Sequence, residues 1–263
     1  MILVDCRTKK NGVPVLSRVE IECIAEAVLQ GYKPKLLDNP GVLDVEHFLE
    51  CYASAEMDYK DLTHDQSILG MTVFNNCCIS VYENGKETEI RVNEGTILID
   101  NCLLENDQLR RGRFTLGHEA SHWILHRRIF KVNKSQPSLF DDLEGEKQPL
   151  IKCRTTDIEA VGKKRLVNDD DWIEWQANCM ASALLMPRKA FTKVVKGKFK
   201  SVGIRDGYYL MGTDSVMDWW VDGLAYDLAD IFEVSVTAAK IRLKNLRFIR
   251  DHEERQFSLN LSC

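Results

Sequence analysis

The chain carries the sequence RFTLGHEASHWILH at residues 113–126. The centre of this stretch matches the pattern H-E-x-x-H, formed by His118, Glu119 and His122. On a helix, residues four apart lie on one face, about one turn from each other. Two imidazoles in that arrangement can bind one Zn²⁺, and the glutamate can reach a water on the metal and act as its general base. The alternative is an amphipathic helix whose histidines bind nothing, because patterns this short also arise by chance.

A second helix is predicted at residues 172–187, where the sequence is WIEWQANCMASALLMP. Asp171 is expected to cap its start, and the final proline is expected to end it. Glu174 lies on a face of this helix that otherwise consists of an amide, small and aliphatic residues. Since an unpaired charge is costly to bury, this carboxylate needs a partner, and a metal ion held by His118 and His122 would supply one. We therefore predict Glu174 as the third ligand; the alternative is a surface residue of an ordinary amphipathic helix.

Two amides of the same helix are candidates for supporting roles. Asn178, one turn after Glu174, could accept a hydrogen bond from the second ring nitrogen of a metal-bound histidine and so fix its tautomer. Gln176 is an alternative oxygen ligand, although a neutral amide is a poorer ligand for Zn²⁺ than a carboxylate.

The composition is that of an ordinary globular protein. The chain has 263 residues, of which 44% are hydrophobic and 29% charged, and its net charge is −5. This charge argues against nucleic-acid binding over the whole surface, though not against a local basic patch. The start has no basic n-region, and no segment approaches the roughly 18 apolar residues that span a bilayer, so we expect a cytoplasmic protein with no membrane partner. Nine cysteines without a Cys-x-x-Cys pair predict neither a zinc ribbon nor a thioredoxin-type site.

The pattern along the chain predicts an α+β fold. Residues 1–60 are expected to be helical, with Ser17 and Asp44 capping helices. Strands are expected at residues 68–74, 79–82, 89–92 and 96–100, with Asn84-Gly85 as a hairpin turn. A small, mainly antiparallel sheet would then pack on the helix that carries H-E-x-x-H. The edge of a sheet beside a zinc site could bind an extended peptide by strand addition.

Two further residues near the motif need a structural assignment. His126 shares the face of His118, but eight residues rise about 12 Å, too far for one ion on a straight helix. We expect a helix-end histidine there, favoured by the negative end of the helix dipole. Residues 131–171 are polar and predicted to be a long surface insertion, within which Cys153 is expected to be an ordinary loop cysteine. The alternative for Cys153 is a thiolate that occupies the open zinc position.

The C-terminal part, residues 201–263, is predicted to be helical. Residues 223–246 have the spacing of a helix-turn-helix, with a basic side on the second helix. We expect a structural helix pair rather than a DNA-binding unit. Residues 188–200 are rich in lysine and are expected to be a solvated face, with docking of an acidic partner as the alternative. A tyrosine among Tyr208 and Tyr209 could stabilise the oxyanion of peptide hydrolysis.

The two motifs together resemble the hallmark of the ImmA/IrrE family of metallo-endopeptidases, which pairs R-x-R-F-T-x-x-H-E-x-x-H with E-x-x-A-N-x-x-A-x-x-L-L-M-P. Residues 111–122 have the sequence RGRFTLGHEASH, and residues 174–187 have the sequence EWQANCMASALLMP. The resemblance covers about residues 60–190, and VSVTAAKIRLKNL at residues 234–246 is similar to the family's C-terminal signature. This chain departs from the family in the Cys-Met pair after Asn178 and in its long insertion.

The resemblance implies zinc bound by His118, His122 and Glu174, with Glu119 as the catalytic base. It implies a single zincin-like domain of the gluzincin kind over residues 1–263, with a catalytic core at 61–200. It also implies a substrate among helix-turn-helix repressors, which are often encoded beside such peptidases on mobile elements or in stress responses. The alternative function is a DNA-binding or protein-binding regulator with a structural zinc site and no proteolysis. The sequence does not specify an oligomeric state.

Overall fold

The computed structural model describes residues 4–130, 150–154 and 166–251. The helices within these ranges are α1 Arg18–Tyr32, α2 Lys35–Asp38, α3 Val45–Phe48, α4 Leu109–Phe130, α5 Asp169–Leu185, α6 Arg188–Ser201, α7 Ser215–Phe232 and α8 Val236–Asn245. The strands are β1 Glu56–Lys60, β2 Ile68–Val73, β3 Cys77–Glu83, β4 Lys86–Val92, β5 Thr96–Asp100, β6 Leu150–Arg154, β7 Tyr209–Met211 and β8 Ile249–Asp251. The fold is therefore α+β, as predicted.

Contacts divide the chain into two compact units. The first consists of Met1–Val28 and Asp44–Ala181, and the second of Leu29–Leu43 and Ser182–Cys263. The first contains β1 to β6, α3, α4 and most of α5, and the second contains α2, α6, α7, α8, β7 and β8. The prediction of a single domain over residues 1–263 stays a prediction. Among the described residues, no helix combines the length and the apolar character that crossing a membrane requires.

A four-stranded mixed sheet forms the centre of the first unit. Its order is β1-β5-β2-β6, with β1 parallel to β5 and β2 antiparallel to both of its neighbours. The prediction of a helical part up to residue 60 was wrong for β1, although its sequence EMDYK alternates polar residues with Met57 and Tyr59 at the period of a strand. Strand β6 likewise lies within the predicted loop 131–171, while residues 131–149 and 155–165 lie outside the described part of the chain.

The predicted hairpin at Asn84-Gly85 is confirmed, but as a separate two-stranded sheet of β3 and β4. Both turn residues have positive φ, 52° and 74°, which matches the twist that a two-residue hairpin requires. The hairpin packs on one face of the larger sheet and buries one apolar cluster with it. The fully buried members of that cluster are Leu62, Met71, Val73, Ile79, Val81, Val92 and Leu98.

Helix α4 packs against β2, β5 and β6 of the four-stranded sheet. Because side chains alternate along a strand, Gly70 and Thr72 of β2 point away from the face that carries Met71 and Val73 and towards α4. Every residue of α4 from Phe114 to His126 is buried, including all of its polar residues in that range. A helix buried on all sides is typical of the interior of a larger domain rather than of its surface.

Helix α5 begins one turn before its predicted cap. The side chain of Asn168 accepts a hydrogen bond from the backbone of Asp171 at 2.7 Å, and the Asp171 carboxylate accepts from the backbone amides of Val167 and Asn168. Asn168 is therefore the N-cap and Asp171 its reciprocal partner, which corrects the predicted roles. At Ser17, by contrast, the predicted cap is confirmed, and Glu20 completes a capping box with it.

The second unit contains the predicted helix pair, α7 and α8. A left-handed residue, Glu233 with φ 50°, ends α7, and Ser235 caps α8 through the backbone amide of Ala238. Arg242 of α8 is fully buried and donates two hydrogen bonds to the carbonyl oxygen of Met186. Its guanidinium therefore forms hydrogen bonds in the interior of this unit.

Candidate metal centre

Three predicted ligands come together between α4 and α5. The Nε2 atoms of His118 and His122 are 2.9 Å apart. Glu174 of α5 places Oε2 at 3.1 Å from Nε2 of His118 and Oε1 at 3.5 Å from Nε2 of His122. The histidine side chains are fully buried, and the Glu174 side chain is 18% exposed. This group could hold a metal ion.

The distances and the donor set fit a small divalent cation. Two ligands about 2.0–2.1 Å from a tetrahedral ion are separated by about 3.3 Å, and the three separations here, 2.9, 3.1 and 3.5 Å, lie around that value. Oε2 of Glu174 is buried and has no hydrogen-bond partner. Burial opposes ionisation of Glu174, but His122 and His118 outweigh it and hold the pKa of this carboxyl well below its usual range. The centre thus presents two imidazole nitrogens and an ionised carboxylate.

Asn178 fixes the orientation of the first histidine, as predicted. Its side-chain oxygen lies 3.0 Å from Nδ1 of His118. Since an amide oxygen only accepts, Nδ1 must carry the proton, and in a neutral ring this leaves the Nε2 lone pair directed at the centre. Asn178 lies one helical turn after Glu174, so a single helix supplies both a ligand and the partner of a ligand.

The second histidine is oriented through His126, which lies in the last part of α4 as expected but has a supporting role that the sequence did not indicate. His126 is fully buried and shares a 3.0 Å contact with His122 between their Nδ1 atoms. Its Nε2 lies 3.0 Å from Oε1 of Gln176, whose amide nitrogen donates to the carbonyl oxygen of Pro14 at 2.8 Å. The oxygen of Gln176 is therefore engaged with His126, and Gln176 supports this chain of hydrogen bonds.

Only one set of tautomers satisfies this chain of hydrogen bonds. Because the Gln176 nitrogen is engaged with Pro14, its oxygen faces His126 and requires a proton on Nε2 of that ring. Nδ1 of a neutral His126 must then accept from Nδ1–H of His122, which leaves Nε2 of His122 free of a proton and directed at the centre. Burial, reinforced by the nearby His122, lowers the pKa of His126 to about 3 and keeps its ring neutral.

Glu119, the predicted base, lies beside the ligand group and against the sheet. Its Oε2 accepts a hydrogen bond from the Thr72 hydroxyl at 2.5 Å, while its buried Oε1 has no hydrogen-bond partner. A Cβ on Gly70 would lie 2.8 Å from Oε1, so only a glycine leaves room for this carboxylate. Burial raises the pKa of Glu119 to about 7, although His118 and the Thr72 hydrogen bond oppose the rise.

Cys153 is not the loop cysteine that the sequence suggested. It lies in β6 directly opposite Gly70 of β2 and is fully buried. Its Sγ atom, a ring nitrogen of His118 and a carboxylate oxygen of Glu119 all lie within 4.8 Å of one another. The missing side chain at Gly70 leaves space for the Glu119 carboxylate, and Cys153 lies on the neighbouring strand at the same register position.

The tyrosines considered for oxyanion stabilisation make contacts within the second unit. The Tyr209 hydroxyl donates to the Asp218 carboxylate at 2.8 Å and lies 3.0 Å from the carbonyl oxygen of Asp214. The guanidinium of Arg250 stacks 3.9 Å from the ring centroid of Tyr208. Both tyrosines therefore have structural partners, and their role in catalysis stays a hypothesis.

Sequence patterns missed the residues that seat Glu119 and orient His122. Thr72 and Gly70 are two residues apart on a predicted strand, and this spacing places them on one face towards the metal helix. His126 repeats the four-residue spacing of the motif, which could have indicated a partner for His122 rather than a helix-end residue. Neither known protein families nor curated protein sequences match this chain.

Proposed function

We propose that this chain is a zinc-dependent endopeptidase of the ImmA/IrrE family with a zincin-like, gluzincin-type centre. We propose further that it makes a site-specific cut in a protein substrate, a helix-turn-helix transcriptional repressor, as a regulatory switch. The observation that carries the proposal is the convergence of His118, His122 and Glu174, with an unpartnered carboxylate oxygen of Glu119 beside them. A structural site would not need a buried, ionisable group of this kind next to its ligands.

The three ligand side chains would hold Zn²⁺, whose chemistry would be to polarise the scissile carbonyl and to acidify a water. The residues of this chain provide the rest. Oε1 of Glu119 can take a proton from the attacking water and later deliver it to the leaving amine. The Thr72 hydroxyl holds the other oxygen of the same carboxylate at 2.5 Å, so the base has one defined orientation. Burial keeps its pKa near neutrality, where a group can both accept and return a proton.

Strand β6 suggests how an extended peptide would bind. Among the described strands, β6 is the last in the order β1-β5-β2-β6, and its far edge carries no described partner. A peptide that adds to this edge would form backbone hydrogen bonds next to Cys153, and therefore next to Glu119. Strand addition binds a peptide mainly through its backbone hydrogen bonds and depends less on its side chains. Selectivity for one repressor would therefore depend on further contacts.

The decisive experiment compares the wild type with Glu119→Gln. Each is loaded with zinc and incubated with the repressor encoded beside its gene, and products are measured by intact mass. We expect a single cut by the wild type and a rate lower by about 10²–10⁴-fold in the variant, because the amide cannot accept the proton. Zinc content, measured on the same samples, should be equal in both. Equal cleavage by the two zinc-loaded proteins would refute the role of Glu119, and absence of zinc from the wild type would refute the metal centre.

A regulator that binds DNA through α7 and α8 is the second candidate, favoured by the observed helix pair. Its basic residues are largely engaged within the second unit. Lys240 pairs with Asp222 at 2.8 Å, and Lys244 pairs with Asp251 at 2.9 Å. Arg242 is buried. DNA binding would have to break these pairs, so we favour the peptidase; salt-dependent DNA binding without proteolysis would reverse that preference.

A further inference from the structure

A thiol that takes no part in the proposed reaction lies at the metal centre. Cys153 is fully buried in β6, and its register partner Gly70 has no side chain to compete for the same space. Its Sγ lies within 4.8 Å of a ring nitrogen of His118 and of a carboxylate oxygen of Glu119. Cysteine at this position is therefore close to one predicted ligand and to the predicted base.

A second observation at the same place points to a ligand. Glu119 is fully buried, and its Oε1 atom has no hydrogen-bond partner. His118, His122 and Glu174 supply three ligands, whereas zinc takes four in most protein sites. The fourth position is held by water in a catalytic site and by a further side chain in a closed one, and Cys153 is the soft donor beside His118.

Cys153 is not part of the group formed by His118, His122 and Glu174, but it lies close to one member of that group, His118. In a tetrahedral site with a Zn–S bond of about 2.3 Å and a Zn–N bond of about 2.0 Å, sulfur and nitrogen are separated by about 3.5 Å. From a separation of 4.8 Å or less, Sγ would approach the His118 nitrogen by no more than about 1.3 Å. Thiolate is also a strongly preferred ligand of zinc, so such a movement is favoured when the metal is present.

We propose that Cys153 is the fourth protein ligand of the metal, which gives a His₂GluCys site. This inference rests on the proposed metal centre. Four protein ligands form a closed site, as in structural zinc proteins, whereas a catalytic site keeps one position open. Sγ therefore competes with water for the fourth position and lowers the activity of the resting protein without abolishing it. Glu119 acquires its water in those molecules from which Sγ has left the metal. Coordination releases the thiol proton to solvent, and departure of Sγ takes one up again.

Cobalt substitution tests this ligand directly, without a substrate. Co²⁺ accepts the same ligands as zinc, and a cobalt–thiolate bond produces a charge-transfer band in the near ultraviolet. The metal-free wild type, Cys153→Ser and Cys78→Ser are each titrated with Co²⁺, and bound metal is counted. Cys78 is an exposed cysteine of the hairpin and serves as the matched control. We expect one cobalt per chain in all three, with the band present in the wild type and Cys78→Ser and lost in Cys153→Ser.

Each outcome bears on a defined claim. A wild type that binds cobalt without the band, or a Cys153→Ser variant that keeps it, overturns the ligand proposal and leaves the peptidase proposal standing. A wild type that binds no cobalt overturns both. If Cys153→Ser does not fold, Cys153→Ala takes its place, because alanine fits an apolar strand position. In the wild type, absence of the band overturns the ligand proposal, whereas a band that is present is assigned to Cys153 by its loss in the variant.

Discussion

Replacing Gly70 with alanine tests how the proposed base is seated against the sheet. The new Cβ would lie 2.8 Å from Oε1 of Glu119, 2.9 Å from its Cγ and 3.0 Å from Cγ2 of Thr115. Ordinary contacts of a Cβ begin at 3.4 Å, so the Glu119 side chain must move by about half an ångström or more. Gly70 lies in a strand and is not among the residues with positive φ, so alanine introduces no backbone strain there.

The expected effects follow from this displacement. Overpacking of a well-packed interior costs about 1–3 kcal/mol, which should appear as a lower free energy of unfolding in urea. A catalytic group misplaced by about 1 Å loses about 10² in rate, so half that displacement predicts a loss of about tenfold. The metal ligands His118, His122 and Glu174 are not touched, and metal binding should remain stoichiometric.

A second glycine supplies the matched control. A Cβ added to Gly197 in α6 would have no neighbouring atom within 4 Å, so Gly197→Ala meets no steric conflict. Alanine in a helix interior stabilises by about 0.5–1 kcal/mol relative to glycine, so this variant should be slightly more stable and fully active. If Gly70→Ala matched Gly197→Ala in urea stability and in cleavage rate, the close packing of Glu119 on β2 would not be what positions it.

Three further predictions concern the groups around the ligands. His126→Leu removes the acceptor for Nδ1–H of His122 and should weaken metal binding by about 10–100-fold in competition with a chelator. His126→Gln keeps an acceptor and should restore part of the affinity. Equal loss of affinity in both variants would contradict the orienting role of His126. Glu119 acts only when deprotonated, so the cleavage rate should fall as the pH decreases below about 7. A metal cation bound nearby lowers the pKa of Glu119, and the fall then begins at a lower pH. Because the hydrogen bond from Thr72 lowers the pKa of Glu119, Thr72→Val should move this acidic limb of the pH–rate profile to higher pH, and a shift to lower pH would refute the assignment.

The local part of the centre could be predicted from sequence. His118, Glu119 and His122 are neighbours on one helix, and the helical repeat alone places both imidazoles on one face. Glu174 was predicted because a carboxylate on an Ala-rich face needs a partner, and Asn178 because it lies one turn further. These inferences depend on the geometry of single helices, which a pattern of residues encodes directly, and the two helices do bring the group together.

The part that depends on strand register could not be predicted. Gly70 and Cys153 are opposite one another only because β6 pairs with β2, and no local pattern specifies which strands pair. Strand β6 lies in a polar region, so the interpretation of residues 131–171 as one long loop placed Cys153 at the surface. The partner of His126 was missed for a similar reason, since the bond to Gln176 joins two helices.

The distribution of unsatisfied polar atoms links the fold to the proposed chemistry. Helix α4 buries Thr115, His118, Glu119, Ser121, His122 and His126 completely. Almost all of their polar atoms have partners within the protein, and the hydroxyls of Thr115 and Ser121 bond to backbone carbonyls of the preceding turn. Among the described residues, the buried side-chain atoms without a hydrogen-bond partner are Oε1 of Glu119, Oε2 of Glu174 and Nε of Arg250. An unsatisfied buried group costs about 1–3 kcal/mol, and two of the three lie around His118, where the metal and its water would bind. The fold satisfies the other buried polar atoms of its central helix but leaves these two carboxylate oxygens without hydrogen bonds, and it loses stability there. Such a loss is expected where a site is arranged for a ligand rather than for packing.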